Sequence, residues 1–371
     1  MKTIIVGAGP GGSAAAIALA QRGVRDVLLL DRARFPRHKT CGSGISPLGL
    51  RVLGELGVEE EVRRRGRMIH SLVLTTPGNR RVKLSGADAA VILLRRDFDQ
   101  VLVDRARGLG VQFRDGAPVA GLLEEDGRVS GVRIGDEEIR SRHVLCADGA
   151  HSVFSIDPRP RRTLSAIMGW WENFDYEPGT LEMIFDRQIR PLYGWMFPET
   201  PTRVNIGIVV DGTRAGVGGD LGNLRQVFEG FLERHYAPRL RTAQPAGKWS
   251  GHPISYSAWT RAAARPGALY VGESARLTNA ATGEGIYQAM RCGVIAADTI
   301  SRVANNGIAE ERAWHDYTRA CRRTFAPGFL IGHAFRGAVR IGLLDLVARA
   351  YEQPRLRRVA SWAIGSGLTG Q

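Results

Sequence analysis

The start of the chain alternates short apolar runs with small, polar turns. TIIV (3–6) leads into a glycine-rich turn and an alanine-rich stretch, and DVLLLD (26–31) follows. Short apolar runs bounded by turn signals are typical of buried strands, whereas the longer alanine-rich segment has the length of a helix. The order strand, turn, helix, strand predicts a βαβ unit with two parallel strands.

The middle of the chain has the period of two that is typical of a half-buried sheet. HSLVLTT (70–76), RRVKLS (80–85) and several stretches between 169 and 210 alternate in this way. A buried-strand pattern returns late, in GALYVGES (267–274). From 310 onward apolar residues recur at helical spacing with arginines opposite, and we expect Pro327 and Pro354 to divide this tail into separate helices.

Composition narrows the class of protein. With 371 residues, 44% of them hydrophobic and 24% charged, the chain predicts a soluble protein with two domains. The four cysteines are scattered without a metal-binding spacing, so we expect no metal site, a reducing compartment and a cytoplasmic location. No apolar run has the length of a membrane helix.

The basic balance of the chain does not identify a partner. The net charge is +14, only four of the 51 basic residues are lysine, and the arginines are dispersed without interleaved aromatics. We therefore expect no nucleic-acid partner. A basic field is compatible with an anionic substrate, a carrier-bound substrate or a membrane surface.

The first turn has the spacing of a dinucleotide site. Gly7, Gly9 and Gly12 form G-x-G-x-x-G between a strand and a helix, and Asp31 ends the next strand. Such glycines permit the turn, the approach of a pyrophosphate and close packing of helix on strand, and the acid can bond ribose hydroxyls. Because every element falls in the required order, we predict that a dinucleotide binds here.

Several further motifs give the chain a resemblance to a known family. They are FPRHKTCGSGIS (35–46), Arg95 before DFD, ADGAHS (147–152), YGWMFP (193–198) and GES…TGEGIYQAM (272–290). Together with the first turn they resemble the geranylgeranyl reductase family, whose members are flavoproteins with the para-hydroxybenzoate hydroxylase fold. The resemblance extends over residues 1 to about 292.

The resemblance implies a fold class and a domain plan. We expect an α/β protein with a split Rossmann-like FAD-binding domain, an inserted and mainly antiparallel substrate sheet, and a helical tail. The FAD-binding domain would comprise 1–66, 95–162 and 260–308, and the substrate domain 67–94 and 163–259, followed by C-terminal helices in 309–371. The implied cofactor is FAD, with NAD(P)H or another reductant as electron donor.

The resemblance also implies which residues meet the cofactor. The small residues before the late helix would lie against the flavin, where the helix N-terminus favours the negative charge of the reduced ring. Glu284 would face the ring or a neighbouring helix cap, and His151 would help to seat the pyrophosphate or NADPH. The implied cofactor-binding residues are Gly7, Gly9, Gly12, Asp31, Arg32, Cys41, Gly42, Arg95, Asp148, Gly149, Gly272, Glu273, Gly283, Glu284, Gly285 and Ile286.

Three residues are candidates for the reaction itself. Cys41 would lie by the flavin, and a thiol among cations can donate a proton. Tyr193 and Trp195 are the candidates for substrate contact within an aromatic wall that also includes Trp170, Trp171 and Phe197. Cys41 as a small apolar filler, and aromatics as ordinary core, are the competing interpretations.

The chain departs from the family pattern at three positions. Glu273 stands where Asp is common, Ala280 where a proline usually precedes Thr-Gly-Glu-Gly, and Arg190 where the aromatic motif usually begins with proline. These departures leave the expectation of FAD binding unchanged, but they leave the substrate and the reaction outcome open.

Three functions remain open on the sequence alone. The first is reduction of carbon–carbon double bonds in a hydrophobic prenyl or polyene metabolite. The second is a monooxygenase acting on an aromatic or polyketide-like compound, and the third is a non-redox flavoprotein such as a cyclase, because fold does not fix chemistry. A halogenase is disfavoured, since its Trp-x-Trp-x-Ile-Pro motif is absent. The amphipathic tail either covers the substrate domain or contacts a lipid surface.

Overall fold

The computed structural model describes residues 2–155, 162–213, 222–256 and 263–369. The described helices are α1 (Pro10–Gln21), α2 (Pro47–Leu56), α3 (Glu59–Arg65), α4 (Arg95–Gly108), α5 (Leu224–Leu240), α6 (Ile286–Asn306), α7 (Glu310–Arg340), α8 (Leu343–Glu352) and α9 (Arg357–Thr369), with a short 3-10 helix at Gly272–Ala275. The described strands are β1 (Thr3–Val6), β2 (Val27–Leu30), β3 (Gly44–Ile45), β4 (Arg67–Thr75), β5 (Arg81–Ile92), β6 (Gln112–Arg114), β7 (Gly121–Glu125), β8 (Arg128–Ile134), β9 (Glu137–Arg140), β10 (His143–Cys146), β11 (Arg162–Glu172), β12 (Thr180–Ile184), β13 (Gly194–Pro198), β14 (Arg203–Asp211), β15 (Gln244–Pro245), β16 (Ser250–Tyr256), β17 (Ala264–Arg265) and β18 (Ala268–Tyr270).

The first sheet collects strands from distant parts of the chain. Its order is β17-β18-β10-β1-β2-β6, and all neighbours are parallel except β17 and β18. β1, β2 and β10 are buried along their whole length, as parallel strands covered on both faces usually are. The expected α/β class with a split parallel sheet is therefore confirmed.

α1 and α6 pack on this sheet through close backbone contacts at glycines. A Cβ on Gly12 would lie 1.9 Å from the carbonyl oxygen of Gly7, and a Cβ on Gly293 would lie 2.3 Å from that of Gly11. These glycines therefore let α1 approach β1 on one side and α6 on the other, which brings the N-terminal ends of α1 and α6 to the same region of the molecule.

The second sheet is mainly antiparallel and has nine strands. Its order is β15-β11-β14-β13-β12-β4-β5-β3, with β16 also paired to β11. β3 lies within the first predicted FAD-binding segment, yet Gly44 and Ile45 pair with Ile92 and Val91 of β5. The turn before β3 thus connects the two sheets. A smaller sheet of β7, β8 and β9 completes the β-structure of the described ranges.

The tail differs from the sequence prediction in one respect. Pro327 does not end a helix, because α7 continues through it, with the stacked rings of Phe325 and Phe329 buried on either side. The break comes instead at Gly342, whose φ of +80° suits glycine. In the part of the chain that the structure describes, no helix is long and apolar enough to cross a membrane.

Candidate active site

A cavity of about 1130 Å³ is lined by residues of both large sheets and of the tail. Its lining includes the first glycine-rich turn, called here the cofactor end, and apolar residues of the second sheet with Gly365 and Leu368 of α9, called the substrate end. All the residues predicted to bind the cofactor line this cavity except Gly12, which packs beneath the turn. The three candidates for the reaction, Cys41, Tyr193 and Trp195, line it as well.

The three positions of the first turn carry glycine for different reasons. Gly7 has a φ of +103°, and its Cβ would lie 2.4 Å from the carbonyl oxygen of Ala147, so the fold itself requires glycine there, as it does at Gly12. Gly9 has an ordinary φ of −73°. A Cβ on Gly9 would meet only Arg37 and Arg95, at 3.8 and 3.9 Å. The fold does not require glycine at this position. The missing side chain instead leaves room in front of two guanidinium groups.

The two arginines are held by a buried carboxylate. Arg95 makes two 2.8 Å hydrogen bonds to Asp99, and Nη1 of Arg37 lies 3.0 Å from the same carboxylate. Burial opposes the charge on Arg95, but Asp99 outweighs it and raises the pKa of the guanidinium. Asp99 was not among the predicted site residues. The arrangement suits a diphosphate, since charge-assisted bonds to phosphate are strong.

Asp31 is fixed at the rim of the same turn. Its carboxylate accepts hydrogen bonds from the backbone N–H groups of Ala8 and Ala33, both at 2.9 Å, and lies 3.5 Å from Arg37. Asp31 and Arg32 both line the cavity. Contact between Asp31 and a ribose remains a prediction.

Two helices begin at the cavity wall without a side-chain cap. Gly9 is the N-cap of α1 and Gly285 that of α6, and neither end has a capping side-chain hydrogen bond. Gly283, with a φ of +64°, makes the preceding turn. Uncapped N–H groups at a helix start favour negative charge, so the two ends suit a pyrophosphate and an anionic reduced flavin.

The two glutamates of the late motifs bond to different neighbours. Glu273 Oε1 accepts the backbone N–H of Ser255 at 3.0 Å, which joins the 3-10 helix to β16. Burial raises the pKa of Glu284, although its hydrogen bonds with Ser46 and Gln288 oppose that change. Ser46 is the N-cap of α2. Glu284 therefore faces a neighbouring helix cap, one of the two placements considered from the sequence.

Asp148 provides an acceptor at the cavity wall that no described residue uses. Its Oδ1 is buried without a hydrogen-bond partner among the described residues, and burial raises the pKa of the carboxyl, although its interaction with Ser152 opposes this. Gly149 follows with a φ of +82°. A buried acceptor that lacks a partner calls for a donor, such as a ligand hydroxyl. This suits a cofactor that carries sugar or ribityl hydroxyls.

Cys41 lies between the arginines and the aromatic wall. Its half-buried thiol accepts the N–H of Ser43 at 3.3 Å and interacts with Arg95. The next residue, Gly42, packs so closely that a Cβ would lie 3.2 Å from the ring of Phe197. The turn that carries the thiol therefore rests directly on the substrate sheet.

Three of the five predicted aromatic residues line the cavity. Tyr193, Trp195 and Phe197 occupy alternate positions and share one face. Trp195 donates to Asn205 at 2.7 Å, while the Tyr193 hydroxyl donates to the carbonyl of Thr282 in the turn before α6. Burial raises the pKa of Tyr193, so its hydroxyl stays protonated.

The other two predicted wall residues lie elsewhere. Trp170 is buried with its indole N–H bonded to Glu199 at 2.9 Å, and Trp171 packs in a separate core cluster with Phe228. Successive residues of a strand point to opposite faces, which explains why the pair Trp170-Trp171 could not both face one pocket. The prediction that they line the cavity was wrong.

Lys39, His151 and His252 form a cluster on the cavity wall, and the sequence predicted only part of it. Lys39 Nζ lies 2.9 Å from His252 Nε2, and the ring of His151 lies 5.4 Å from that of His252. Burial and then Arg95 lower the pKa of Lys39, while burial and then Lys39 lower that of His252 to about 4. His252 is therefore neutral near pH 7. It comes from β16, 213 positions from Lys39, and no sequence signal marked it.

Together these features define the binding site of a flavoprotein. FAD fits the residues present: room at Gly9 before two arginines, two uncapped helix ends, and the buried acceptor of Asp148. The model for the FAD binding domain family matches residues 1–168, which confirms the expected cofactor.

Comparison with known proteins gives the family. Digeranylgeranylglycerophospholipid reductase 1 of Methanopyrus kandleri is 32% identical over 324 residues, which cover 83% of this chain and 81% of the relative. The corresponding reductase of Thermoplasma volcanium is 27% identical, covering 79% and 76%. The chain belongs to the geranylgeranyl reductase family of FAD-dependent oxidoreductases, as its motifs predicted.

Solved structures with more distant sequences share the fold. A geranylgeranyl bacteriochlorophyll reductase-like protein from Thermoplasma acidophilum has a TM-score of 0.83 at 23% identity, covering 94% of this chain and 91% of its own. A flavin-dependent brominase has a TM-score of 0.80 at 17% identity, covering 100% and 94%. At such identities the likeness establishes the architecture alone, because one fold supports several flavin reactions.

Proposed function

We propose that the protein reduces carbon–carbon double bonds of a long prenyl or polyene chain, with FAD as cofactor. The observation that carries this proposal is the continuity of the cavity from the arginine pair to an apolar chamber. The relatives named as digeranylgeranylglycerophospholipid reductases act, by name, on such a lipid. A lipid-like hydrophobic substrate is therefore the best match to the site.

The chamber has the lining that a hydrocarbon chain requires. Apolar side chains from five strands and from α9 surround it: Leu72, Leu84, Ala166, Met168, Leu181, Met183, Val209 and Leu368. Tyr193, Trp195 and Phe197 form its wall near the Cys41 turn. Largely apolar cavities with a few placed polar groups are typical of hydrophobic ligands.

In this proposal charged side chains and the backbone N–H groups of helix ends bind FAD. Arg37 and Arg95 would bind the pyrophosphate with the N-terminal end of α1, and Asp31 the ribose. Asp148 would accept from a ribityl hydroxyl, and the N-terminal end of α6 would face the flavin. When bound and reduced, FAD supplies a hydride. The electrons would come from NAD(P)H or another reductant of comparable potential.

The chain itself must supply the second hydrogen. Saturating a double bond adds a hydride to one carbon and a proton to the other. Cys41 is the candidate acid, because its thiol lies between the arginines and the aromatic wall. Tyr193 is less suited to this role, since burial raises its pKa and its hydroxyl already donates to Thr282.

Product mass tests this proposal against a monooxygenase. Holoenzyme with a chemical reductant and a geranylgeranyl lipid is expected to give products heavier by two hydrogens for each double bond reduced. A product heavier by one oxygen, formed only in air, would instead assign a hydroxylation. An isomer of unchanged mass would assign a cyclase.

The partners implied by this substrate are also part of the proposal. The lipid would be presented either by a carrier or by the membrane, and an anionic head group would meet a chain of net charge +14. The basic C-terminal helices are the proposed point of membrane contact.

A further inference from the structure

We infer that α8 and α9 form a docking face for an anionic lipid bilayer, adjoining the apolar end of the cavity. The inference rests on the proposed function, because a prenyl lipid would have to leave a membrane to reach the chamber. It adds which residues contact the membrane, which lipid charge they prefer and by which route the lipid reaches the chamber.

The exposed apolar residues of the molecule are concentrated in the tail. Eight large apolar side chains of the described ranges are strongly exposed, and seven of them belong to the tail: Leu330, Ile341, Leu343, Leu346, Leu356, Val359 and Trp362. Soluble monomers rarely gather exposed apolar residues in one region unless it binds something. We call the last six of these residues the apolar face.

Both helices carry apolar residues on two sides, one buried and one exposed. In α8, Leu346 is 55% exposed whereas Leu344 and Ala348 are buried. In α9, Trp362 is 71% exposed whereas Ile364 is buried. Each helix therefore uses one apolar side to pack and presents a second apolar side to the surroundings, and tryptophan is a preferred anchor at a membrane interface.

The charges around the apolar face are mainly positive. Five exposed arginines lie along this part of the tail: Arg340, Arg349, Arg355, Arg357 and Arg358. The two acids of the same stretch turn toward the β4–β5 hairpin, since Asp345 accepts the N–H of Gly78 at 2.9 Å and Glu352 pairs with Arg80 at 2.7 Å. Arginines around the face would repel a second copy of it and attract anionic lipid, which selects the bilayer as the occupant.

The docking face adjoins the cavity through α9. Gly365 and Leu368 of α9 line it, one and two turns beyond Trp362. Leu84 of β5 also lines the cavity, and α8 is joined to that strand by the hydrogen bond from the Tyr351 hydroxyl to the carbonyl of Lys83. A chain leaving the bilayer at the apolar face would therefore enter the chamber at α9.

Vesicle sedimentation of the holoenzyme tests the docking face. Wild type is expected to sediment with phosphatidylcholine vesicles that contain phosphatidylglycerol and to stay in solution with phosphatidylcholine alone. Val359→Ser with Trp362→Ser, and separately Arg357→Gln with Arg358→Gln, should each lower binding about tenfold. Arg107→Gln with Arg241→Gln removes the same charge from exposed sites elsewhere and should change binding little.

Each of three results would overturn the inference. They are an unchanged partition of the Val359→Ser, Trp362→Ser variant, an equal loss in the control pair, and a wild-type dimer in solution that the same variant dissociates. Retained FAD and turnover of a short, water-soluble prenyl alcohol show that a variant is folded. If vesicle binding behaves as expected but no prenyl compound is reduced, the proposed function fails while the docking face stands.

Discussion

The two ends of the cavity are built by different physical means. At the cofactor end, directional bonds and backbone shape determine the site: Arg95 grips Asp99 through two 2.8 Å bonds, and Gly7 must have a positive φ. At the substrate end, Leu84, Leu181 and Leu368 contribute only apolar surface. Directional bonds select one ligand, whereas apolar walls accept any chain of suitable shape. One fold can therefore keep FAD and change its substrate.

A bulky residue at Gly9 should break the cofactor end completely. The backbone there accepts any residue, and a valine side chain would lie where the diphosphate belongs, in front of Arg37 and Arg95. Gly9→Val is expected to purify folded but without flavin, as read from the ratio of absorbance near 450 nm to that near 280 nm.

Gly108→Val is the matched control for this substitution. Gly108 is exposed, and a Cβ there would meet nothing within 4 Å. The control should keep full flavin content. Full flavin content in a folded Gly9→Val protein would mean that the diphosphate does not lie at this turn.

Cys41→Ser examines the point where the two ends meet. A hydroxyl keeps the size of the thiol but is a far weaker acid, so substrate-driven oxidation of the reduced enzyme should slow about a hundredfold. Flavin reduction by the donor should be unchanged. Stopped-flow absorbance separates the two steps, and equal slowing of both would point to disturbed FAD rather than a lost acid.

Arg95→Ala should weaken FAD less severely. One charge-assisted contact of about 2 kcal/mol corresponds to about a thirtyfold higher Kd. The substitution also leaves buried Asp99 with Arg37 as its remaining ion-pair partner among the described residues, so the protein should lose stability. Arg95→Ala with Asp99→Asn should regain stability but not FAD affinity. Recovery of both would make Arg95 a structural residue only.

Tyr193→Phe should have the smallest effect. The hydroxyl donates to Thr282 in the turn before α6, and such a bond contributes about 1 kcal/mol. We expect about a fivefold lower kcat with KM and the pH profile nearly unchanged. A new pH dependence would show that the hydroxyl takes part in proton transfer.

Much of the cofactor end was predictable because its signals are local. Gly7, Gly9, Gly12 and Asp31 lie within one βαβ unit, and the motif around Cys41 is continuous. The split parallel sheet followed from buried-strand patterns at both ends of the chain. These features depend on backbone geometry, which constrains residue type position by position.

The substrate end was less predictable because its residues meet only through tertiary structure. His252 lies beside Lys39 although 213 positions separate them, and Leu368 lines the chamber from a tail that the sequence predicted either to cover the substrate domain or to contact a lipid surface. Trp170 and Trp171 were assigned to the wall by residue type, although neighbouring strand positions face opposite sides. The residue type of an apolar position does not tell whether the side chain lines a pocket or packs in the core.

In the proposed reaction the reduced flavin passes its hydride to a carbon–carbon double bond that lies beside the aromatic wall, rather than reacting with oxygen. The most direct test of this step is anaerobic single turnover: holoenzyme is reduced, freed of excess donor and mixed with a geranylgeranyl lipid without oxygen. We expect the flavin absorbance near 450 nm to return and one double bond to be saturated for each flavin oxidised. A flavin that stays reduced with every alkene tested, yet reoxidises with substrate-dependent oxygen uptake in air, would contradict it.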